Sequence, residues 1–571
     1  MTRPRPRCSP ASSRVLASCA VTAALVAGCA ATPSPPGEAR DQLVARAGAP
    51  LFDGLGDWHR DITTADPGAQ RYFDQGMVLA FGFNHAEAIR SFRAAQRLDP
   101  DCAMCFWGEA LATGPNINVT ANGKTVMTDA EQVAAREAIA HALERADAVT
   151  PVERDLIEAQ AARYAVSPTP ERDPFDRAYA EALGALVVRY PDDDDVAAMF
   201  AEAWMNTMPW DYWSDDGQPR PETVPVVAAL ERVLARSPRH PLALHLYIHA
   251  VEASSEPGRA ERAADTLSTL VPGSGHLVHM PAHVYWRVGR YHDASASNIR
   301  AAAVDEAYIA QCNAQGFYPA AYYPHNIHFL WAAASMEGRS VLAIESARKV
   351  AANVRLEQIE QFPTVEFFRT IPLLALVQFG RWEDILAEPQ PPAQLDYSTA
   401  IWHYARGSAL AATGDLRGAL AERAALEGLV DSVQVRFLDG ADYPAGQLLR
   451  IADALLLGEL ALARGDAPGA TGHFRRAVEV QDGLPYMEPP FWYYPTRQSL
   501  GLSLMREKRY AEAEAVYRRD LDDYPHNGWS MFGLAASLDA QARPAEAAEV
   551  REMFTHAWEM ADVTLTASRL Y

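Results

Sequence analysis

The chain has 571 residues, of which 51 are basic and 73 acidic, giving a formal net charge of −22. A surface this acidic repels nucleic acid and anionic lipid head groups, so neither is expected as a ligand. Six cysteines in a chain of this length exclude a disulfide framework as the basis of the fold, which must rest on apolar burial.

The N-terminus has the layout of an export signal. Four arginines precede an apolar run from Val15 to Ala27 that is short for a membrane span and ends in Leu-Val-Ala-Gly before Cys29. This resembles the lipobox of bacterial lipoproteins, in which the signal is cleaved before the cysteine and the new terminus carries lipid. The resemblance implies residues 1–28 as a signal peptide and Cys29 as the lipidated residue. Because Ala30 rather than aspartate follows, it also implies, for a Gram-negative host, an outer-membrane anchor facing the periplasm. An ordinary signal peptide with an incidental cysteine is the alternative.

The segment 29–65 is predicted to be a flexible tether. It opens with a stretch rich in proline and small residues, which cannot bury apolar area. We therefore expect ordered structure to begin near Asp66 and residues 66–571 to form a helical repeat domain. No later segment approaches the length of an uninterrupted apolar span, so a soluble body on a lipid anchor is expected.

A turn followed by a helix rich in small residues recurs along the chain. The recurring turn glycines are Gly258, Gly289, Gly338, Gly380, Gly414 and Gly465. Gly380 and Gly414 are 34 residues apart, which is the length of a tetratricopeptide unit. The fuller pattern near the N-terminus is Tyr72-x3-Gly76-x11-Ala88-x3-Phe92-x2-Ala95-x4-Pro100. Gly501 and Tyr517 belong to a similar pattern near the C-terminus.

These residues resemble the tetratricopeptide-repeat family. The resemblance implies an all-α superhelix of antiparallel helix hairpins, in which the first helix of each hairpin lines a concave groove that commonly binds a peptide or a protein partner. The match is looser between Thr113 and Arg239. Helices are still expected there, because Thr128 and Thr150 open capping boxes ahead of apolar-periodic stretches, and alternating strand patterns are absent.

Histidines recur at one place in successive repeats. His245, His276 and His325 each lie thirteen residues before a turn glycine, and His279 and His328 each lie ten before one. Residues three, four or seven apart share a helix face, so these side chains are expected to align on the groove side. The predicted metal cluster comprises His276, His279, His283, His325 and His328, with His245 as a further candidate.

Neutral imidazoles suit a divalent transition metal such as zinc or copper. Glu252 or Glu337 would supply a carboxylate ligand or base. The alternative is that each histidine caps or packs separately. Two functions therefore stay open: a groove that binds a protein or peptide partner and holds a metal, or a metal-dependent enzyme. No His-Glu-x-x-His, Gly-x-Ser-x-Gly, phosphate-loop or dinucleotide motif is present to name a reaction.

Two further features carry predictions. Cys102 and Cys105 could form a disulfide, ligate a metal or act as a redox pair, and we predict an oxidised structural pair that leaves Cys312 unpaired or buried. The aromatic, proline-broken segments 208–213 and 488–495 are either binding loops at the groove mouth or packed inserts.

Overall fold

The computed structural model describes residues 39–214, 217–312 and 316–571. The predicted signal peptide and Cys29 lie outside these ranges. Helices α1–α9 are Arg40–Ala47, Pro67–Phe81, His85–Leu98, Ala103–Thr113, Asp129–Leu143, Pro151–Ala161, Asp173–Arg189, Asp194–Thr207 and Thr223–Arg236. Helices α10–α19 are Pro241–Glu252, Glu261–Leu270, Gly275–His279, Pro281–Arg287, Tyr291–Cys312, Tyr323–Met336, Ser340–Asn353, Leu356–Gln361, Ile371–Gln378 and Trp382–Ala387. Helices α20–α28 are Asp396–Thr413, Leu416–Glu427, Val433–Asp439, Ala445–Ala463, Ala467–Asp482, Arg497–Arg506, Tyr510–Asp523, Gly528–Ala540 and Pro544–Ala557.

These helices form stacked hairpins. Helix α2 packs against α3, α15 against α16 and α27 against α28, and the same pairing recurs between them. The first helices of neighbouring hairpins also touch, as α2 does with α4 and α25 with α27. Because each hairpin buries its apolar face against the next one along the chain, the result is a helical solenoid. The predicted all-α fold is confirmed.

Glycines explain how closely the hairpins approach. A Cβ atom on Gly76 would lie 2.7 Å from the ring of Phe92, and one on Gly108, in the next hairpin, 2.4 Å from the same ring. Tyr517 is held in the same way between Gly501 and Gly533, at 2.4 and 2.3 Å. Each aromatic ring thus fills the gap between two hairpins at a place where any larger side chain would collide.

A short β-hairpin interrupts the helices between α4 and α5. Strands β1 (Thr120–Ala121) and β2 (Lys124–Thr125) pair antiparallel around Asn122 and Gly123, whose φ angles are 53° and 70°. Both turn residues adopt the left-handed region that a two-residue hairpin requires, and Asn-Gly is the sequence best suited to it. The expectation of no strands misses this hairpin because strands this short show no alternation.

The N-terminal segment is more ordered than predicted. Residues 40–47 form α1, which buries Leu43 and Ala47. Further along, the Arg60 guanidinium forms ion pairs with Asp193 at 2.8 Å and Asp195 at 2.7 Å. The structure of residues 39–65 differs from the predicted flexible tether, because apolar side chains such as Leu43 and Leu51 are buried here and specific polar contacts add to that burial. Within the described ranges, no helix combines the length and apolar character needed to cross a membrane.

A buried carboxyl in α23 gives a pH-dependent prediction. Glu459 is 5% exposed, and burial raises its pKa from 4.5 to about 7. Between pH 4.5 and about 7 the Glu459 carboxyl is ionised in the unfolded chain but protonated in the folded one. The free energy of unfolding therefore falls as pH rises through this range, and the loss is complete above about pH 7. Glu459→Gln should therefore raise the melting temperature at pH 8 and leave it nearly unchanged at pH 4. The exposed Glu479→Gln is the control, and an equal shift at both pH values would contradict the prediction.

Candidate metal centre

Three successive hairpins supply the histidines of the centre. Helix α10 carries His245 and His249, and α15 carries His325. The hairpin between them opens with two short helices, α12 and α13, which supply the remaining three, His276, His279 and His283. Residues four apart share a helix face, so the pairs His245/His249 and His279/His283 each project together. Pro281 is the first residue of α13, where a missing N–H costs nothing.

The first group, here called triad 1, comprises His245, His249 and His276. One ring nitrogen from each lies within 4.8 Å of the others. The Nε2 atoms of His245 and His276 are 3.2 Å apart, and the Nε2 atom of His249 is buried without a hydrogen-bond partner. His245 donates from Nδ1 to the carbonyl oxygen of Phe81 at 2.6 Å, which directs its Nε2 lone pair inwards.

The second group, triad 2, comprises His279, His283 and His325. The Nε2 atom of His279 lies 2.8 Å from that of His283 and 3.1 Å from that of His325. Ligand nitrogens around a tetrahedral zinc ion, each about 2.1 Å from the metal, lie about 3.4 Å apart. The two separations from His279 are therefore slightly shorter than the one that a single ion imposes, and all three nitrogens lie within 4.8 Å of one another.

Glu252 lies between the triads and touches one histidine of each. Its Oε1 accepts from His249 Nδ1 at 2.7 Å, and its Oε2 accepts from His283 Nδ1 at 2.5 Å. Burial alone would raise the pKa of Glu252, but its interactions with His283 and His249 lower it, so the group is a carboxylate. A carboxylate behind a histidine fixes the ring orientation and the tautomer, which is the usual arrangement around protein metal sites.

Hydrogen bonds fix the tautomers in triad 2. The amide of Asn298 donates to the Ala294 carbonyl at 2.9 Å, so its Oδ1 is the acceptor that faces His279 Nδ1 at 2.6 Å. His279 and His283 therefore both carry their proton on Nδ1, and their Nε2 lone pairs face each other. Two facing lone pairs repel each other, and a proton or a metal ion between the nitrogens would relieve that repulsion. A proton can bridge only two of the three nitrogens, whereas a metal ion accepts all three.

Five of the six imidazoles have pKa values shifted towards the neutral form that binds metals. Burial, followed by the proximity of other histidines, lowers the pKa well below 6.5 for His245, His276, His279 and His325. Burial also lowers the pKa of His249, which its contact with Glu252 partly offsets. Because neutral imidazole is the ligating form, protons compete poorly for these sites near pH 7.

The structure brings together most of the predicted site and corrects part of it. Of the predicted histidines, His328 lies outside both triads. Its ring stacks on Trp331 and contacts Phe367 and Phe368. Glu337 also lies elsewhere, near His292 at 3.1 Å. The expected open groove is absent at this place, because the histidines of the triads are buried, apart from the half-buried His325.

Some residues of the centre are absent from the sequence prediction. His249 could have been found from the sequence, because His245-x3-His249 repeats the spacing of His279-x3-His283. Glu488 begins one of the two aromatic segments noted above, and it reaches the centre from far along the chain. One of its carboxylate oxygens lies 3.5 Å from His283 Nδ1, while Tyr486 donates to the other. Burial and the charge of Glu252 raise the pKa of Glu488 well above 4.5.

The cysteines lie apart from the triads. Cys102 and Cys105 are joined by a disulfide across the first turn of α4, and both are fully buried. Cys312, at the end of α14, is a free cysteine of intermediate exposure. Cys102 also caps α4, because its sulfur accepts from the Cys105 amide. This pair is a structural element of the second hairpin.

Fold and site together define an all-α repeat protein with a buried histidine and carboxylate cluster. No family model and no curated protein matches the sequence. A solved structure of the human IFIT1 dimer with m7Gppp-AAAA is similar at 11% identity and a TM-score of 0.29, over 87% of this chain and 91% of that one. Yeast Tom70 is similar at 12% identity and a TM-score of 0.26, over 87% and 92%. The APC/C hetero-tetramer Cut9-Hcn1 is similar at 12% identity and a TM-score of 0.24, over 86% and 87%. At these TM-scores no property of those proteins is transferred to this chain.

Proposed function

We propose that this protein binds a divalent transition metal in its histidine cluster and does so at the cell envelope, attached through lipid on Cys29. The main support is triad 2, in which the Nε2 atoms of His279, His283 and His325 converge. Independent packing histidines have no reason to aim lone pairs at one another inside a protein, where an unpaired polar atom is costly.

The donor set narrows the choice of metal. Imidazole nitrogens suit zinc, copper and nickel, and the first-row affinity order favours copper when geometry does not decide. The carboxylate of Glu252 is engaged as the hydrogen-bond acceptor of two ligands. Zinc or copper therefore fits this centre better than calcium or magnesium, which prefer oxygen ligands.

Burial favours metal binding over catalysis on a large substrate. His279 and His245 are 0% exposed, so a macromolecule cannot reach the ring nitrogens of these two residues directly. A metal-dependent reaction on a small molecule is the second candidate, and it is favoured by Glu488, a buried carboxyl with a raised pKa beside His283. The protein or peptide partner stays a prediction that rests on the fold, since solenoids of this kind offer extended binding surfaces.

Elemental analysis tests the metal proposal. Tag-free protein is loaded separately with Zn²⁺ and Cu²⁺, passed over a gel-filtration column and measured by mass spectrometry of the metal. At least one equivalent should remain bound, and the double variant His245→Ala/His279→Ala should hold none. Wild-type protein that retains neither metal at a stoichiometric level would refute the proposal.

The lipid anchor gives a separate prediction. Cys29→Ser should move the protein from the membrane fraction into the soluble fraction, because a lipidated terminus is the proposed attachment and the helices described provide no span. Fractionation of cells followed by immunoblotting measures this, with Cys312→Ser as the matched control that stays in the membrane. Wild-type protein that extracts into buffer without detergent would contradict the anchor.

A further inference from the structure

The six clustered histidines are built as two copies of one arrangement. Triad 1 consists of the pair His245-x3-His249 in one hairpin and His276 from the next. Triad 2 consists of the pair His279-x3-His283 and one histidine, His325, from the hairpin that follows. Each triad therefore combines a His-x3-His pair with one histidine from the succeeding repeat.

The nitrogens of each triad converge separately. One nitrogen from every member lies within 4.8 Å of the others in triad 1, and the same holds in triad 2. The third close group, His249, Glu252 and His283, joins one histidine from each triad through its carboxylate. Glu252 is bonded to Nδ1 of both rings, so the Nε2 atoms of these rings are left for their own triads.

The rings are held so that their Nε2 atoms face inwards. Phe81 accepts the Nδ1 proton of His245, and Asn298 accepts that of His279. Together with the two rings held by Glu252, each triad has two Nε2 lone pairs positioned by hydrogen bonds from behind. Support of this kind from behind the ligands is the hallmark of a metal site built for occupancy, and both triads have it.

We infer that the protein binds two transition-metal ions, one in each triad, and that Glu252 links the two sites by orienting His249 in one and His283 in the other. The inference rests on the proposed metal function. It adds the number of ions, the division of the ligands between them and a positioning role for Glu252. Each ion has three imidazole ligands, which leaves a further coordination position for water or a small molecule.

Metal stoichiometry in matched variants tests the two-site arrangement. His276→Ala removes the third ligand of triad 1, and His325→Ala removes that of triad 2. Each protein is loaded with Zn²⁺ and, separately, with Cu²⁺, then gel-filtered and analysed for metal per chain. We expect two equivalents in the wild type, one in each single variant and none in the double variant. His328→Ala, a buried histidine outside both triads, should keep two.

The outcomes separate this inference from the proposed function. One equivalent in the wild type that either single variant abolishes would mean a single shared site, which overturns the two-ion inference and leaves the metal function intact. No equivalent with either metal would overturn both. Native mass spectrometry of the wild-type protein counts the ions without any substitution, so the result stands even if a variant fails to fold. Circular dichroism of each variant checks its helix content.

Discussion

Replacing Glu252 by glutamine is expected to weaken metal binding by about 10–100-fold, the usual cost of losing a partner behind a metal ligand. Glutamine has nearly the same shape but only one acceptor oxygen, so it can accept from His249 or from His283 and not from both. The glutamine N–H₂ then donates to Nδ1 of the remaining histidine, which favours the tautomer with its proton on Nε2. A protonated Nε2 cannot bind the ion.

Competition with a chromophoric chelator measures this effect at each site. Glu337→Gln is the matched control, because Glu337 is also a buried carboxylate near a histidine but lies outside both triads. We expect the metal affinity of the Glu337→Gln variant to equal that of the wild type. If Glu252→Gln leaves the affinity for both ions within twofold of the wild type, Glu252 does not position the ligands.

Removing the metal is expected to lower the melting temperature of the protein substantially. An ion that binds the folded state alone, present at a thousand times its dissociation constant, stabilises that state by about 4 kcal/mol. Without it, the lone pairs of His279 and His283 face each other at 2.8 Å in a buried place. The loss of stability should be largest in the hairpins that contain the triads, because each hairpin in a solenoid is stabilised mainly by its neighbours.

Calorimetry with excess Zn²⁺ and with a chelator gives the size of the shift in melting temperature, and hydrogen exchange locates it along the chain. The double variant His276→Ala/His325→Ala serves as the control and should show the same melting temperature in both conditions. A wild-type melting temperature that is independent of metal would contradict the account. Protection changes spread evenly over the chain, rather than centred on α10 to α15, would exclude a local origin.

The repeated fold could be predicted from the sequence because local rules specify each hairpin. A turn glycine such as Gly338 needs a positive φ, here 69°, and small residues mark the helix crossings. These local rules do not predict the ordered structure of the segment before Asp66. Its order depends on burial of residues such as Leu51 and on ion pairs such as Arg60 with Asp193, and the sequence spacing of these residues does not show what they contact.

In the candidate site, too, the sequence predicts the features that local helix geometry sets and misses those that depend on long-range packing. Distance from the turn glycine fixes the face of a helix, and so it points to His276, His279 and His325, which lie in the cluster of six histidines although not in one triad. The rule fails for His328 because this side chain faces the next layer of the solenoid, where Phe367 and Phe368 surround it. It also gives no indication of Glu488, which reaches His283 through the long-range packing of a loop.

The most direct test of the central claim is X-ray absorption spectroscopy of the metal-loaded wild-type protein at the zinc or copper edge. The account predicts a first shell of nitrogen scatterers at about 2.0–2.1 Å, with about three imidazoles per ion and the outer-shell scattering that rigid rings produce. A first shell made of sulfur, or one made of oxygen without imidazole scattering, would place the ion outside the triads and contradict the claim.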